Sequence, residues 1–206
     1  MPDQSPDTDE LLRRAEDADE AAIGALFDRH RDRLRHMVGV RIDPRLAARI
    51  DPSDVVQEAL TEALVQLPSY LRNRPVPFYP WLRQIAWERL VRLHEQHIQA
   101  QRRSVLKEDG DVLPLPDGSA VKLVDKLISN ETGPSLRAAR KEMRERLRYA
   151  VEQLPPHYRE VIILRHLEQL TFEEIAGVLG VREAATRSRY RRAVEILHRR
   201  LSGDAF

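Results

Sequence analysis

Along most of the chain, apolar positions recur every three or four residues, the spacing that lines one face of an α-helix. In EAAIGALFDRHRDRLRHMVGVRI, the residues Ile23, Leu26, Phe27, Leu34, Met37 and Val38 fall near one such face. DPSDVVQEALTEALVQL follows with a stripe of Val56, Leu60, Ala63, Leu64 and Leu67. Asp51 or Ser53 suits its N-cap and Pro52 its first turn. WLRQIAWERLVRLHEQHIQAQRR carries Trp81, Leu82, Ile85, Ala86, Leu90 and Leu93, and SLRAARKEMRERLRYAVEQLP carries Leu136, Met143, Leu147 and Val151. PPHYREVIILRHLEQL, with Pro155 and Pro156 at its start, reads as a further helix. Its VIIL run at 161–164 is β-branched, but helical patterns on both sides favour a buried helix segment over a strand. The expected fold is all-α.

Two stretches interrupt the periodicity. PSYLRNRPVPFYP holds four prolines, Pro68, Pro75, Pro77 and Pro80, and reads as a loop. KEDGDVLPLPDGSAVKLVDKLISNETGPS, at 107–135, is dense in turn-forming residues and shows helical spacing only near VKLVDKLI. The expected organisation is an acidic N-terminal tail at 1–19, a small helical domain at 20–103, a flexible linker at 104–135 and a second helical domain at 136–206.

The second domain contains LTFEEIAGVLGVREAATRSRYRRA at 170–193. Thr171, followed three residues later by Glu174, is a capping box that starts a short helix with Ile175, Ala176 and Leu179 inward. Gly180 ends it, because glycine tolerates the left-handed conformation of a tight C-terminal turn. Val181 packs the corner, and a second helix begins, with Thr186, Tyr190, Ala193, Leu197 and Leu201 on its inner face. A small residue where two helices cross and a glycine in the turn are what a helix-turn-helix requires, here spanning 171–201. Arg187, Ser188, Arg191 and Arg192 project from the N-terminal half of the second helix, where such a helix meets the major groove. Arginine grips guanine bidentately or neutralises phosphate, and serine reaches either.

Charge patterning sharpens this expectation. The net charge of +1 conceals a strongly acidic start, two basic blocks and an acidic spacer between them. Residues 29–103 hold 14 arginines against eight carboxylates, and residues 136–201 hold 15 basic residues against nine. Two modules that touch a polyanion have this pattern, and so do arginine-rich helix surfaces without a partner. The 206 residues contain no cysteine, which excludes disulfides and cysteine-based zinc sites. No apolar run approaches the roughly 20 residues needed to span a bilayer, and the acidic N-terminus is unlike a signal peptide. A soluble, cytoplasmic protein without membrane contact is expected. His94 and His97 form H-x-x-H, but no third ligand has suitable spacing, and none of the eight glycines builds a phosphate-cradling loop. Neither a metal, a cofactor nor an enzyme activity is expected.

The string LPPHYREVIILRHLEQLTFEEIAGVLGVREAATRSRYRRAVEIL resembles region 4 of the extracytoplasmic-function (ECF) sigma factors of bacterial RNA polymerase. It shares the order L-P-x-x-x-R, L-R, L-T-F-E-E-I-A, L-G-V and R-S-R-x-x-R-A. Independently, DPSDVVQEALTEAL is similar to region 2.2, marked by D-x-x-Q-E. FYPWLRQIAWERLVRLHEQHIQAQRR is similar to regions 2.3 and 2.4. The linker leaves no room for region 3, which points to the compact class within the sigma factors.

The resemblance implies a transcription initiation factor that binds core polymerase, at the β′ clamp helices and the β flap, and directs it to promoters. Asp54, Gln57, Glu58 and Thr61 share one helix face by spacing, and in the family that face docks on the clamp helices. A solvated helix face accounts for the same four residues if the motif stands alone. Tyr70, Arg72, Asn73, Arg74, Phe78, Tyr79, Arg83, Arg89 and Arg92 match the part of the family that melts the −10 element and captures its non-template strand. Bases pulled from the stack need an apolar or aromatic cradle with cations along the backbone. Phe78 and Trp81 suit core anchors as well. Arg187, Ser188, Arg191 and Arg192 match positions that read the duplex −35 element, and Arg165 with the capped N-terminus at Thr171 suits phosphate. Ala184-Ala185-Thr186 departs from the family's usual Gly-Thr-Val, which places a hydroxyl at an inner position. An anti-sigma factor is a further partner that the resemblance allows, and the acidic tail is expected to be disordered. The rival reading is a helix-turn-helix regulator that binds duplex operators without core polymerase. Such a regulator does not require D-V-V-Q-E or an aromatic loop before a basic helix.

Overall fold

The computed structural model describes residues 7–42, 49–102, 122–123 and 137–202, the side chains of 97–102, 137–141, 143 and 144 excepted. The expected linker at 104–135 lies outside the described residues apart from Lys122 and Leu123. The described elements are α-helices, with no strand among the described residues, as the all-α expectation requires. Two compact units are distinguished, Met1–Gly39 with Leu46–Asp109 and Val40–Arg45 with Gly110–Phe206.

The first unit begins earlier than its sequence pattern suggests. Residues Thr8–Glu16 form a helix, α1, capped by the Asp7 carboxylate, which accepts from the Thr8 amide at 2.7 Å. Leu11, Leu12 and Ala15 are buried and α1 packs on a later helix, so this part of the acidic segment is ordered, contrary to expectation. Two leucines and an alanine on one face suffice to dock a short helix, whatever the charge of its other faces. Helix α2, Glu20–Arg41, follows a turn in which Asp19 accepts from the Ala22 amide at 3.1 Å. The Arg14 guanidinium, hydrogen-bonded to Asp19, holds that carboxyl below the usual aspartate range. Leu26, Leu34, Met37 and Val38 are fully buried.

Helix α3, Pro52–Asn73, is capped by Asp51, whose carboxylate accepts from the Ser53 amide at 2.7 Å. It runs straight through Pro68, so most of the stretch expected to be a loop is helical. Proline's fixed φ fits a helix, and the missing amide and ring clash are offset by Leu67 and Tyr70, both buried on either side of it. Only residues 74–77 separate α3 from α4, Phe78–Arg102. Pro80 is the third residue of α4, where an amide has no partner within the helix in any case. The core stripe of α3 also differs from expectation, because Leu64 is 51% exposed. Successive residues turn by about 100°, so Leu64 falls outside the arc whose ends are Val55 and Leu60; Val55, Ala59 and Tyr70 complete the buried face instead.

The second unit contains α5 (Arg137–Glu152), α6 (Pro156–His166), α7 (Phe172–Leu179) and α8 (Glu183–Ser202). Helix α8 packs against the other three. Leu147, Ala150, Val151 and Leu154 meet Ile162, Ile163, Leu167, Ala193 and Leu197 in one core. All of Val161–Leu164 is buried and helical, as its surroundings indicate. Among the described residues no helix is long and apolar enough to cross a membrane.

Candidate nucleic-acid interface

Helices α7 and α8 form the expected helix-turn-helix. The Thr171 hydroxyl accepts from the Glu174 amide at 3.1 Å, and the Glu174 carboxylate accepts from the Thr171 amide at 2.8 Å. This reciprocal cap starts α7 at the residue the motif indicates; it takes up the Thr171 amide, while the Thr171 hydroxyl, an acceptor in the cap, keeps its proton to donate. Gly180 adopts the left-handed conformation at φ 62°, and its amide and that of Val181 both close on the Ala176 carbonyl.

Arg187, Ser188, Arg191 and Arg192 all lie on the exposed side of α8. Arg191 is the least restrained of them: its side chain is 78% exposed, with the Glu195 carboxylate at 3.8 Å. Arg192 pairs with the same carboxylate at 3.1 Å, and Arg187 donates through Nε to Glu183 at 3.0 Å. Exposed pairs of this kind contribute only about 0.3–0.5 kcal/mol each, so they order the guanidiniums without withholding them from a phosphate or a base. Arg165 is half-buried and donates to the Leu170 carbonyl at 2.7 Å, which leaves it beside the start of α7.

Thr186 occupies the inner face of α8 as expected, fully buried, and its hydroxyl has no hydrogen-bond partner among the described residues. A buried unsatisfied hydroxyl destabilises the fold, whereas a methyl of similar size belongs there. Thr186→Val is expected to raise stability by about 1 kcal/mol, read as a higher urea midpoint at unchanged slope.

In the first unit, Asp54, Gln57, Glu58 and Thr61 form an exposed stripe on α3. The Thr61 hydroxyl donates to the Gln57 carbonyl at 3.0 Å, within the helix. Glu58 is paired with Arg89, and Glu62, one turn on, accepts from Arg92 at 2.7 Å. The structure thus joins two sets that the sequence keeps apart, since Arg89 and Arg92 come from the expected −10 group and Glu58 from the expected polymerase face.

The other expected −10 residues divide by burial. Tyr70, Phe78 and Tyr79 are in the core, with Tyr70 stacked on Trp81 at 4.4 Å between centroids and Phe78 beside Phe27 at 6.2 Å. Tyr70 donates to the Val76 carbonyl at 3.0 Å, and burial pushes its hydroxyl up to about 12, so it remains a neutral donor that ties down the turn. Arg83 is also buried, its guanidinium 6.0 Å from the Trp87 ring centroid. As placed, Tyr70 ties down the 74–77 turn, Phe78 and Tyr79 pack against α2, and the four do not form an open stacking surface. The reason is composition: with few aromatic residues in the chain, the core of this unit takes them. Arg72, Asn73 and Arg74 remain exposed at the end of α3. Asn73 donates to the Ser69 carbonyl at 3.2 Å, and Arg74, in the left-handed conformation at φ 36°, pairs with Glu16 of α1. His94 is buried, and no cluster of potential metal ligands occurs among the described residues.

Comparison with known proteins bears on this arrangement. The family model described as sigma-70, region 4, matches residues 144–197, which include the whole of α6 and α7 and most of α8. The ECF RNA polymerase sigma-E factor of Escherichia coli strain K12 is 29% identical over 190 residues, covering 91% of this chain and 90% of the relative. That of Haemophilus influenzae strain Rd is 26% identical over 196 residues, covering 93% of each. The chain is thus similar to ECF sigma factors along most of its length, and its second unit carries the region 4 match. For the fold, the solved structure of CnrH in complex with the cytosolic domain of CnrY aligns at a TM-score of 0.53 and 24% identity, covering 97% and 100% of the two chains.

The candidate site also contains residues that the motifs do not mark. Glu183 is one, and its spacing of four ahead of Arg187 is a signal the sequence does carry. Glu62 and Phe172 are others. Glu62 meets Arg92 from a different helix, and Phe172 meets cations from two other helices, so neither contact is visible in sequence spacing.

Proposed function

We propose that this chain is an ECF sigma factor that binds core RNA polymerase and directs it to specific promoters, with the second unit reading the duplex −35 element and the first engaging the melted −10 strand. The exposed cationic face of α8, with Arg187, Ser188, Arg191 and Arg192 placed by the Gly180 turn, carries this reading. A recognition helix needs positive charge locally even when the whole chain is nearly neutral. The α3 stripe around Asp54, Gln57 and Glu58 serves as the polymerase-facing surface, since exposed carboxylates and amides pair well with arginine on a partner helix. In the first unit the residues best placed for single-stranded DNA are Arg72, Asn73 and Arg74, with Arg89 and Arg92 reached once their glutamate partners yield. We assign the chain no catalytic step of its own.

We also propose domains at 20–103 and 136–206 as the functional modules, joined by the 104–135 linker, with α1 added to the first. An anti-sigma factor is a proposed regulatory partner; the CnrH structure, which has the same fold, holds the cytosolic domain of CnrY. The decisive experiment is transcription with purified core polymerase on genomic fragments. Initiation at defined start sites only when the chain is added is the expected result. Duplex binding without any such initiation would establish the operator-binding regulator instead.

A further inference from the structure

An aromatic and cationic cluster stands at the start of α7. Phe172 is the first residue of that helix, directly after the Thr171 cap, and is half-buried. The guanidinium carbon of Arg165, near the end of α6, lies 5.0 Å from the centroid of its ring, and that of Arg187, on α8, lies 4.7 Å from it. Tyr190 stands edge-on to the same ring, at 5.3 Å and 72°, and the Tyr190 hydroxyl is 3.0 Å from Nε2 of His166. Three helices of one unit therefore meet at a single ring that faces two cations.

We propose that Phe172 is a positioning residue for promoter recognition, its π-face holding Arg165 and Arg187 where the first meets backbone phosphate and the second a base edge of the same duplex. The inference rests on the −35 reading proposed above. A long exposed arginine loses rotamer freedom when it grips DNA, and a protein that orders the side chain beforehand recovers that loss. A cation within about 6 Å of an aromatic centroid is attracted by the ring's quadrupole, which favours the held rotamer about two- to fivefold per cation. The interaction is with the charge as a whole, so the guanidinium keeps N–H donors for DNA. Each arginine is also fixed from a second side: Arg187 by Glu183 at 3.0 Å, and Arg165 by the Leu170 carbonyl at 2.7 Å. Tyr190, itself held through His166, braces the ring edge. A leucine in place of Phe172 fills similar space and supplies none of this attraction.

The test uses holoenzyme assembled from core polymerase and the full chain, on promoter DNA with each −35 base pair substituted in turn. Arg187→Ala first identifies the base pair that Arg187 reads, as the position where the substitution penalty disappears. Phe172→Leu is then expected to weaken binding to the matched promoter about five- to tenfold and to shrink the penalty at that same base pair, leaving the other positions unchanged. Phe172→Tyr is expected to retain both properties. Should the leucine variant not fold, Phe172→Met makes the same comparison, because methionine also fills the space without a ring. Wild-type behaviour of the ring-less variant, or an equal loss at every base pair, overturns the positioning role while the −35 reading stands. An absence of any base preference in the wild-type holoenzyme overturns the −35 reading and the positioning role together.

Discussion

Replacing Asp54 and Glu58 together by alanine is expected to weaken binding to core polymerase by about 30- to 160-fold, while duplex binding by the second unit is unchanged. The two residues are a turn apart on the exposed stripe of α3, so one partner helix can engage both. Losing a charge-assisted hydrogen bond at a desolvated contact costs about 1–1.5 kcal/mol at each position, and the two losses add if the sites act independently. The single variants differ in what else they change. Asp54→Ala removes an exposed carboxylate in the first turn of the helix; this breaks no side-chain ion pair across helices among the described residues, but it also costs α3 a favourable charge at its N-terminus. Glu58→Ala also releases Arg89 from its ion pair, so its effect combines weaker polymerase binding with a cation freed toward DNA. Competition for core polymerase against a labelled sigma factor measures both. Equal affinity of the double variant and the wild type would remove α3 from the polymerase interface.

Arg191→Ala is expected to lose about 1–3 kcal/mol of discrimination between matched and substituted −35 elements. That is the largest single effect anticipated on DNA reading. Arg191 is the most exposed cation in the first half of α8, and its nearest carboxylate is too distant to hold it strongly. If it contacts only phosphate, the variant instead loses affinity equally on all sequences, and the dependence on salt becomes shallower by about one unit of log–log slope. Binding isotherms on matched and substituted duplexes at two salt concentrations distinguish these outcomes. Normal promoter selection by the variant would exclude Arg191 from the readers.

The helix-turn-helix was legible because its determinants are local. Thr171 and Glu174 cap the same helix turn that they belong to, and Gly180 relieves a backbone conformation at its own position. The −10 region was less legible, for the opposite reason. Four prolines in PSYLRNRPVPFYP indicate a break, yet Pro68 lies inside α3 because buried Leu67 and Tyr70 on either side hold the helix against it. Likewise, Tyr70, Phe78 and Tyr79 have the right chemistry for stacking bases, and their surroundings in the first unit bury them. A side chain's chemistry limits what it can contact, while its exposure depends on residues far away in the chain.

By itself the sequence determined the helical class, the capping box, the glycine turn and the cationic face of α8, since each follows from spacing within a few residues. It likewise determined which face of α3 carries Asp54, Gln57 and Glu58, because helical periodicity leaves no choice. Only the tertiary structure decided that α1 docks as a helix, that Glu58 and Glu62 hold Arg89 and Arg92, and that Phe172 gathers Arg165 and Arg187. Those contacts join residues on different helices, and their distances depend on how the cores pack, which no spacing along a single helix encodes.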